Sequence, residues 1–449
     1  MRRPRSATLL TLMMAGVLGV VGCAASAPDD EASDLRGAPV SEPDCDEGRL
    51  PLTQRLSSGV GWAMCWSVDP NLGLVLEDVS ITPPEGEPIS VIAALSISQL
   101  EVPYDDGERL TADITSAGFG GQKMQTLDEQ ACLGDRLEIP IPNIGDGEFG
   151  ETPVREVLCA EQIDGGLSYH SSSALSPAVE RRTDWRLSTV SRVGWYEYVS
   201  EYVFGADGSI NVRLGATGDL SPVDYTDEEH GWAVGPEDTH HAASHSHNAV
   251  WRIHWALGGN DPMQVEQYDA EPTGEMGSKS PLLSGKLTRL EHPSTAEWVD
   301  RRWWRVLSPG IVNEDDHPIS YQIDLGKSDS FTFAGDHHHG ADAGYDVAFT
   351  NADECEVNAT SNSGRCGDGV LDFVADGAGE TLQDVVSWVA VGFHHVARDE
   401  DQSPMELHWQ GFALLPRDLT GQRFDVPRGR EEVNGIPDNE WTEDAELYE

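Results

Sequence analysis

Residues 198–214 read YVSEYVFGADGSINVRL, and this stretch decides the fold class. Its first part, Tyr198–Phe204, is rich in aromatic and β-branched residues, which favour β-strands. The next four residues, Gly205-Ala206-Asp207-Gly208, have the composition of a tight turn. Ser209–Leu214 then alternates apolar with polar residues, so its apolar side chains take one face of a second strand. We therefore predict an antiparallel hairpin here.

The same alternation recurs along the chain. Val250–Leu257 places Trp251, Ile253, Trp255 and Leu257 on one side of a predicted strand. Helical periodicity is scarce, whereas short alternating segments bounded by Gly, Pro, Asn and Asp are common. No Pro/Ser-rich linker or internal repeat divides the interior. We predict an all-β chain in which residues 49–428 form one large antiparallel β-sandwich.

The first residues predict export from the cell. Arg2, Arg3 and Arg5 precede an apolar run, Leu9–Val21, that is too short to span a bilayer as a mature helix. The run ends in Val20-Val21-Gly22-Cys23, which looks like a bacterial lipobox. Residues 1–23 are therefore predicted to be a lipoprotein signal peptide with Cys23 lipidated. An ordinary cleaved signal peptide is the alternative.

Two acidic segments flank the predicted domain. Residues 24–48 are rich in Asp, Glu, Ala, Ser and Pro, a composition that cannot bury a core and predicts a flexible tether. Residues 429–449 are predicted to be an acidic C-terminal tail. With the lipid anchor, this predicts a protein held at the bacterial cell envelope, on the outer membrane or the cell surface.

Cysteine number agrees with an oxidising compartment. Without Cys23, six cysteines remain, an even number that favours disulfides in an exported chain. Sequence order suggests three local bridges, although six cysteines allow fifteen pairings. The suggested pairs are Cys45–Cys65, Cys132–Cys159 and Cys355–Cys366.

The formal net charge of −49 excludes one class of partner. Nucleic-acid binding needs clustered Lys and Arg, so no nucleic-acid partner is expected. A strongly acidic protein can raise the local concentration of cationic substrates such as amines. Solubility of an exposed or salt-adapted protein explains the charge equally well.

Three histidines have the pattern of a metal site. In a strand, His245 and His247 point to the same face, and His395 ends another strand-like run, Val385–Val396. Three neutral imidazoles and water suit Cu(II), and zinc would also accept them. His240 and His241 are further histidines in the same region. The run Asp336-His337-His338-His339 is predicted to be a solvated loop.

The string Val193-Gly194-Trp195-Tyr196-Glu197-Tyr198 precedes these histidines. The chain thus has a tyrosine, then a His-x-His pair, then a distant histidine. This order resembles that of the catalytic domain of the copper amine oxidases. The resemblance implies that Tyr196 becomes topaquinone, a quinone that copper and oxygen form from the tyrosine. The family motif is Asn-Tyr-(Asp/Glu), and Trp195 stands where the family has an Asn that helps orient the ring. Without this resemblance, Tyr196 would be read as a core aromatic.

The resemblance also implies a proton acceptor. In the family, the amine forms a Schiff base with the quinone, and an Asp takes its α-proton. Asp113-Ile114-Thr115-Ser116-Ala117-Gly118-Phe119-Gly120 keeps the family's Asp and later glycines but lacks its Gly-Glu pair. Ser96–Tyr104 is similar to the family's Ser-x-x-Glu-Met-x-Val-Pro-Tyr, in which the Tyr hydrogen-bonds the quinone. Tyr104 and Asp113 are the corresponding residues, and the segment between them is shorter than usual.

Other segments extend the resemblance from about Gly61 to Arg428, roughly the catalytic domain alone. Cys132 and Cys159 look like the two ends of the family's catalytic-domain disulfide. The segment from His395 to Met405 is similar to His-(Val/Phe)-(Pro/Ala)-Arg-x-Glu-Asp-x-Pro-x-Met.

The family's peripheral calcium site is weakened in this chain. Its Asp-x-Asp corresponds to His254 and Ala256, and Asp384 is a candidate match to a third ligand. With two carboxylates lost, we do not expect calcium at this position.

The resemblance implies a primary amine oxidase that converts an amine, O2 and water to aldehyde, ammonia and hydrogen peroxide. Copper would be bound by His245, His247 and His395. Family members form dimers, so a homodimer is expected. The alternative is an inactive, lipid-anchored copper-binding protein that keeps the fold, motivated by Trp195 and the missing Gly-Glu pair.

Overall fold

A computed structural model describes most of the predicted domain, residues 39–141, 154–172, 177–259, 261–299, 301–325, 344–363, 366–401 and 403–426. The chain divides into two units, Met1–Arg36 and Gly37–Glu449. The predicted signal peptide with Cys23, most of the tether, the run 336–339 and the acidic tail lie outside the described residues.

The described residues are mainly strands. The strands are β1 (Leu50–Arg55), β2 (Gly61–Asp69), β3 (Gly73–Thr82), β4 (Ile89–Pro103), β5 (Leu110–Ala112), β6 (Asp135–Pro140), β7 (Val154–Ser171), β8 (Ala178–Val193), β9 (Tyr196–Phe204), β10 (Ile210–Gly218), β11 (Gly231–Val234), β12 (His240–Ala243), β13 (His245–Trp255), β14 (Gln264–Met276), β15 (Pro281–Leu290), β16 (Ser294–Ala296), β17 (Trp303–Val312), β18 (Pro318–Asp324), β19 (Val347–Asn351), β20 (Val385–His395) and β21 (Met405–Arg417).

Among the described residues, helices are few and short. They are α1 (Asp113–Ser116), α2 (Val370–Asp376) and three 3₁₀ turns at Gly121–Lys123, Pro222–Asp224 and Pro236–Asp238. In the part of the chain that the structure describes, no helix is long and apolar enough to cross a membrane.

Two large antiparallel sheets form a sandwich, as the sequence predicted. Among the described strands, the first sheet runs β1-β2-β3-β4-β13-β20-β19-β16, with β5 beside β4. The second runs β15-β14-β17-β18-β21-β10-β9-β8-β7-β6, and β11 pairs with β12 separately. The predicted hairpin is β9–β10, in which Phe204 pairs with Ile210 across the turn. Gly208 in that turn has φ of 86°, which a glycine adopts without strain.

Tryptophans fill much of the space between the sheets. Trp62, Trp251 and Trp255 are each at most 1 % exposed, as the alternation of Val250–Leu257 predicted for the last two. Their ring nitrogens still need acceptors inside the core. Trp62 donates to the Gly205 carbonyl at 3.1 Å, and Trp255 donates to Ser387 Oγ at 2.9 Å. Such satisfied indole groups bury large apolar area without leaving a polar atom unpaired.

Three disulfides join sequence neighbours, in the pairing that sequence order suggested. They are Cys45–Cys65, Cys132–Cys159 and Cys355–Cys366. The first fixes the end of the segment 24–48, predicted as a flexible tether, to β2. This segment is therefore attached to the domain at Cys45.

Candidate active site

The candidate site lies between the two sheets, where β13 and β20 of the first sheet face β9 of the second. In the first sheet, His245 and His395 are directly opposite each other in the β13–β20 register. On β9, Tyr196 and Tyr198 are two residues apart and therefore point to the same inner face. Strand alternation thus directs side chains from both sheets into one buried space.

The three predicted metal ligands converge. One ring nitrogen from each of His245, His247 and His395 lies within 4.8 Å of the corresponding nitrogen in the other two. All three side chains are buried, at 1–3 % exposure. Three buried imidazoles at this spacing can coordinate a single ion such as Cu(II) or zinc.

Hydrogen bonds fix which nitrogens are free for a metal. His245 Nδ1 donates to the Ala243 carbonyl at 3.1 Å, so its Nε2 carries the lone pair. His395 Nε2 donates to the carboxylate of Asp401 at 2.9 Å, which leaves the lone pair on Nδ1. That Nδ1 is buried without a hydrogen-bond partner. An unpaired buried acceptor is costly, and a bound metal ion would satisfy it.

The third histidine is oriented by a tyrosine. The Tyr198 hydroxyl lies 3.4 Å from both His247 Nδ1 and Asp113 Oδ2. If His247 donates from Nδ1 to this hydroxyl, the hydroxyl donates to the carboxylate. His247 Nε2 is then the free nitrogen, and it too is buried without a hydrogen-bond partner. Tyr198 therefore links one candidate metal ligand to the candidate base.

Burial keeps these histidines neutral, the form that binds metal ions. Burial lowers the pKa of His245 from its ordinary 6.5 to about 3. It also lowers the pKa of His247 well below the ordinary value. Burial lowers the pKa of His395 as well, against the opposing effect of Asp401. All three imidazoles are uncharged at neutral pH.

Tyr196 lies directly beside the histidines. Its hydroxyl is 2.8 Å from His245 Nε2, and its ring is edge-on to His247 with ring centroids 5.1 Å apart. Burial raises the pKa of Tyr196 well above its ordinary range, so the hydroxyl stays protonated and donates to His245. The tyrosine is thus next to the nitrogens that a metal ion would use.

Asp113 begins α1 and is buried, with 7 % exposure. Burial raises the pKa of Asp113 from 3.8 to about 6, although hydrogen bonds from Thr111 and Tyr198 act in the opposite direction. A carboxylate with a pKa near 6 can accept a proton at neutral pH and hold it better than an ordinary Asp. Asp113 is therefore a candidate general base.

Tyr104 and Trp195 occupy different surroundings. The Tyr104 ring stacks on the His245 imidazole, with centroids 4.8 Å apart. Trp195, which replaces the family's Asn, is 36 % exposed at the turn before β9. Its carbonyl accepts a hydrogen bond from the Asp219 amide at 2.9 Å. Trp195 thus lies at the surface beside the buried Tyr196.

Histidines outside the triad have other partners. His240 lies on β12, where its ring stacks on Tyr225 with centroids 4.9 Å apart. His254, at the position of a family calcium ligand, contacts Asp384 Oδ1 through Nε2 at 2.7 Å. An imidazole thus pairs with Asp384, which the sequence offered as a candidate match to the third calcium ligand.

The sequence pattern predicts no role for two residues of the site, Tyr198 and Asp401. Tyr198 lies on the same strand face as Tyr196, so the two-residue spacing was an available signal. Asp401 lies six residues after His395 within the segment that resembles the family. Its contact with His395 depends on the chain turning back after β20, which the sequence pattern does not reveal.

We expect the substitution His247→Ala to abolish stoichiometric copper binding, because it removes one of three converging nitrogens. Wild-type protein should bind one Cu(II) per chain, and an excess of a thousand times Kd should stabilise it by about 4 kcal/mol. Metal analysis and thermal unfolding with and without copper measure both effects. The exposed His240→Ala is the matched control and should behave as wild type. Equal copper content in His247→Ala and wild type would contradict this assignment.

We expect Asp401→Asn to lower copper affinity by about 10–100-fold, the usual cost of removing a carboxylate that orients a ligating histidine. The amide can present its NH2 group to His395 Nε2, which then accepts the hydrogen bond. The lone pair of His395 is in that case no longer held on Nδ1, the nitrogen that would bind the metal. Competition with a copper chelator measures the affinity. Glu400→Gln removes the same charge from an exposed neighbour and should leave the affinity unchanged. If both variants weaken binding equally, the effect is one of charge and not of orientation.

Comparisons with known proteins place the chain among copper amine oxidases. The family model described as copper amine oxidase, enzyme domain, matches residues 54–427. Histamine oxidase of Arthrobacter globiformis is 26 % identical over 387 residues, which cover 80 % of this chain and 55 % of that protein. Primary amine oxidase 2 of Arabidopsis thaliana is 24 % identical over 411 residues, or 84 % of this chain and 59 % of its own length. The chain thus spans less than two thirds of these relatives.

Solved structures share the fold. A copper-containing benzylamine oxidase from Hansenula polymorpha superimposes with a TM-score of 0.70 at 22 % identity, covering 84 % of this chain and 63 % of that one. An amine oxidase of Aspergillus nidulans superimposes with a TM-score of 0.67 at 19 % identity, and the match covers 94 % of this chain and 57 % of that one. With a family model matched over most of its length, the chain belongs to the copper amine oxidase family.

Proposed function

We propose that the protein is a copper- and topaquinone-dependent primary amine oxidase. One observation carries the proposal: Tyr196 lies 2.8 Å from His245 in a buried space that also holds His247, His395 and Asp113. These are the residue types that a quinone-forming copper site and its base require. Family membership supports copper and a quinone as the cofactors.

The residues present fit both groups. Buried His247 Nε2 and His395 Nδ1 lack hydrogen-bond partners, and with His245 Nε2 they would hold the copper ion. Tyr196 would carry the quinone, which when bound supplies the carbonyl that condenses with an amine and accepts its electrons. Aldehyde, ammonia and hydrogen peroxide are the products that this chemistry implies.

Asp113 would accept the α-proton of the substrate. Its buried carboxylate is ionised above pH 6 and accepts a hydrogen bond from Tyr198, which holds it in place. Tyr104 would hydrogen-bond the modified ring of Tyr196, since its own ring stacks on His245 beside that tyrosine.

The similar proteins guide the choice of first substrates. One relative is named a histamine oxidase and one structural neighbour a benzylamine oxidase. We propose a small primary amine as substrate, and aromatic amines are the first probes.

We also propose a homodimer, held in part by the hairpin β14–β15. The outer half of this hairpin is exposed in the single chain, and it carries apolar side chains at 44–69 % exposure, namely Met276, Leu282, Leu283 and Leu287. Exposed apolar side chains of this kind are typical of a surface that another chain covers. Sedimentation of wild type and of a double variant, Leu283→Glu with Leu287→Glu, tests this: the variant should be monomeric.

We propose an envelope location for the protein, exported and anchored through Cys23. The three disulfides support an oxidising compartment. Metabolic labelling with a palmitate analogue, in wild type and Cys23→Ser, tests the anchor.

Expression with copper under air tests the proposed activity. We expect quinone absorption, a coloured adduct with phenylhydrazine, and peroxide release with benzylamine. Protein expressed without copper is the control and should give none of these until copper and air are added. Absence of all three signals in copper-loaded protein would reject the proposal.

A further inference from the structure

Two strands of opposite sheets meet at one carboxylate. β20 of the first sheet ends at His395, and β21 of the second sheet begins at Met405. Asp401 lies in the connection between them, and its side chain is fully buried. His408 on β21 points to the same inner face as Phe412, which is 5 % exposed. Asp401 thus lies between a candidate copper ligand and a histidine of the other sheet.

The two carboxylate oxygens of Asp401 are bound unequally. Oδ2 accepts hydrogen bonds from His395 Nε2 and from the Arg398 amide, both at 2.9 Å. Oδ1 has longer contacts, 3.5 Å to Arg398 Nε and 3.6 Å to His408 Nε2. The Arg398 side chain is 47 % exposed, and its guanidinium also pairs with Glu406. His408, at 9 % exposure, therefore supplies a buried positive hydrogen at the less satisfied oxygen.

The carboxylates also determine how the His408 ring is oriented. Its Nε2 faces oxygens of Asp401 at 3.6 Å and of Glu406 at 3.9 Å, whereas its buried Nδ1 has no hydrogen-bond partner. Burial alone would raise the pKa of Asp401, but hydrogen bonds from His395 and the Arg398 amide lower it below 3.8. An ionised carboxylate accepts hydrogen bonds and donates none, so His408 carries a proton on Nε2. At 3.6 Å the contact with Asp401 is electrostatic and longer than a hydrogen bond.

His408 also packs against the end of β20. Its ring centroid lies 4.5 Å from that of His395, with the planes inclined at 57°. The Phe393 ring, two residues earlier on β20, is 5.2 Å away. His408 therefore contacts His395 both directly and through Asp401. The first contact limits rotation of the His395 ring, and the second limits movement of the carboxylate that binds it.

We infer that His408 is a positioning residue of the proposed copper site. From the second sheet, its Nε2 holds Asp401 Oδ1, while Asp401 Oδ2 keeps the proton of His395 on Nε2. The lone pair of His395 then remains on Nδ1, where the metal ion would bind. A ligand held in one tautomer and one orientation before the ion arrives loses less freedom on binding. This inference rests on the copper ligands of the proposed function, and it does not require that the quinone forms.

Three variants on β21 test the inference through copper affinity, measured by competition with a chelator. His408→Leu removes the N–H group, and we expect it to weaken binding by about tenfold, the lower end of the range for loss of a group that orients a ligating histidine. His408→Gln can place an amide N–H near the position of Nε2 and should restore most of the affinity. Gln410→Leu changes a polar residue two positions further along the same strand face. It is the matched control and should bind copper as wild type does.

A double variant tests whether His408 acts through Asp401. In an Asp401→Asn background, adding His408→Leu should weaken copper binding by less than about twofold, because the carboxylate through which it acts is already lost. If the loss is about tenfold in both backgrounds, His408 acts only by packing against His395, and the inference is overturned.

Pulsed electron spin resonance of bound Cu(II) provides a readout that a merely structural role would not change. Wild type and His408→Gln should show three imidazole nitrogens coupled to the copper, and His408→Leu should show a weaker coupling from one of them. Thermal unfolding of the copper-free variants checks their folding. If His408→Leu does not fold, His408→Asn replaces it, because its amide is too short to reach Asp401.

The possible outcomes separate this inference from the proposed function. Wild-type affinity and three unchanged couplings in His408→Leu would overturn the role of His408 and leave the oxidase untouched. Copper binding with the expected differences among variants, but no quinone in any of them, would reject the oxidase and support the role of His408. Wild-type protein that binds no copper would reject both.

Discussion

Tyr196→Phe is expected to abolish amine oxidation, lowering turnover by at least about 10⁴-fold, in the range found when a covalent nucleophile is removed. The reason is chemical, because a phenyl ring lacks the hydroxyl from which oxidation to a quinone begins. Copper binding should persist, since the three histidine nitrogens remain. Peroxide release, phenylhydrazine titration and metal analysis on one preparation measure all three properties.

Tyr202→Phe is the matched control. Tyr202 lies on the same strand, is equally buried, and lies outside the histidine cluster. It should keep quinone and turnover near wild-type levels. Amine oxidation by Tyr196→Phe at a rate close to that of the control would show that another group carries the reaction.

Asp113→Asn is expected to lower kcat/KM by about 10²–10⁴-fold, the usual contribution of a positioned general base. An amide cannot accept the α-proton, although it preserves the size of the side chain. Quinone content, measured with phenylhydrazine, should remain close to wild type, because the substitution leaves Tyr196 and the histidines in place. Loss of quinone together with activity would assign Asp113 to cofactor formation and not to proton transfer.

The same carboxylate sets the pH dependence. Because the pKa of Asp113 is about 6, kcat/KM calculated for the unprotonated amine should rise as the carboxylate ionises and reach half of its plateau near pH 6. Below that pH the group is protonated and cannot act as a base. An acid limb centred near pH 4, where an ordinary Asp titrates, would contradict the role of burial in tuning this group.

Protein stability provides a check that is independent of activity. Below about pH 4, Asp113 is protonated in both the folded and the unfolded chain, so folding buries no charge at this position. Between about pH 4 and 6, the unfolded chain ionises first, so folding stability falls as pH rises. Above pH 6, burial of the ionised carboxylate lowers the free energy of unfolding by about 3 kcal/mol. This value follows from the rise in the pKa of Asp113 from 3.8 to about 6. Copper-free Asp113→Asn should therefore be more stable than wild type at pH 8 and similar near pH 4.

The sequence predicted the parts of the fold that depend on local pattern. Alternation around Gly205–Gly208 gave the β9–β10 hairpin, and the apolar face of Val250–Leu257 is buried as predicted. The His-x-His spacing placed two imidazoles on one strand face. These predictions succeed because side-chain direction along a strand alternates strictly.

The alternation of apolar and polar residues does not predict which distant strands are in contact. β13 pairs with β20, which places His245 opposite His395, 150 positions later in the sequence. Alternation alone does not choose a strand's neighbour. The resemblance to the family predicted that these histidines share one copper ion, but not which strands pair. The link from Asp113 through Tyr198 to His247 joins both sheets and appears only in three dimensions.

The mass of the peptide that contains Tyr196, measured before and after copper is added to copper-free protein in air, tests the central claim most directly. If the buried tyrosine and the three histidines form one redox centre, the peptide should gain two oxygens and lose two hydrogens, and it should stay unmodified without copper or without oxygen. Copper bound at one ion per chain with Tyr196 still unmodified would contradict that claim and identify a copper-binding protein without turnover.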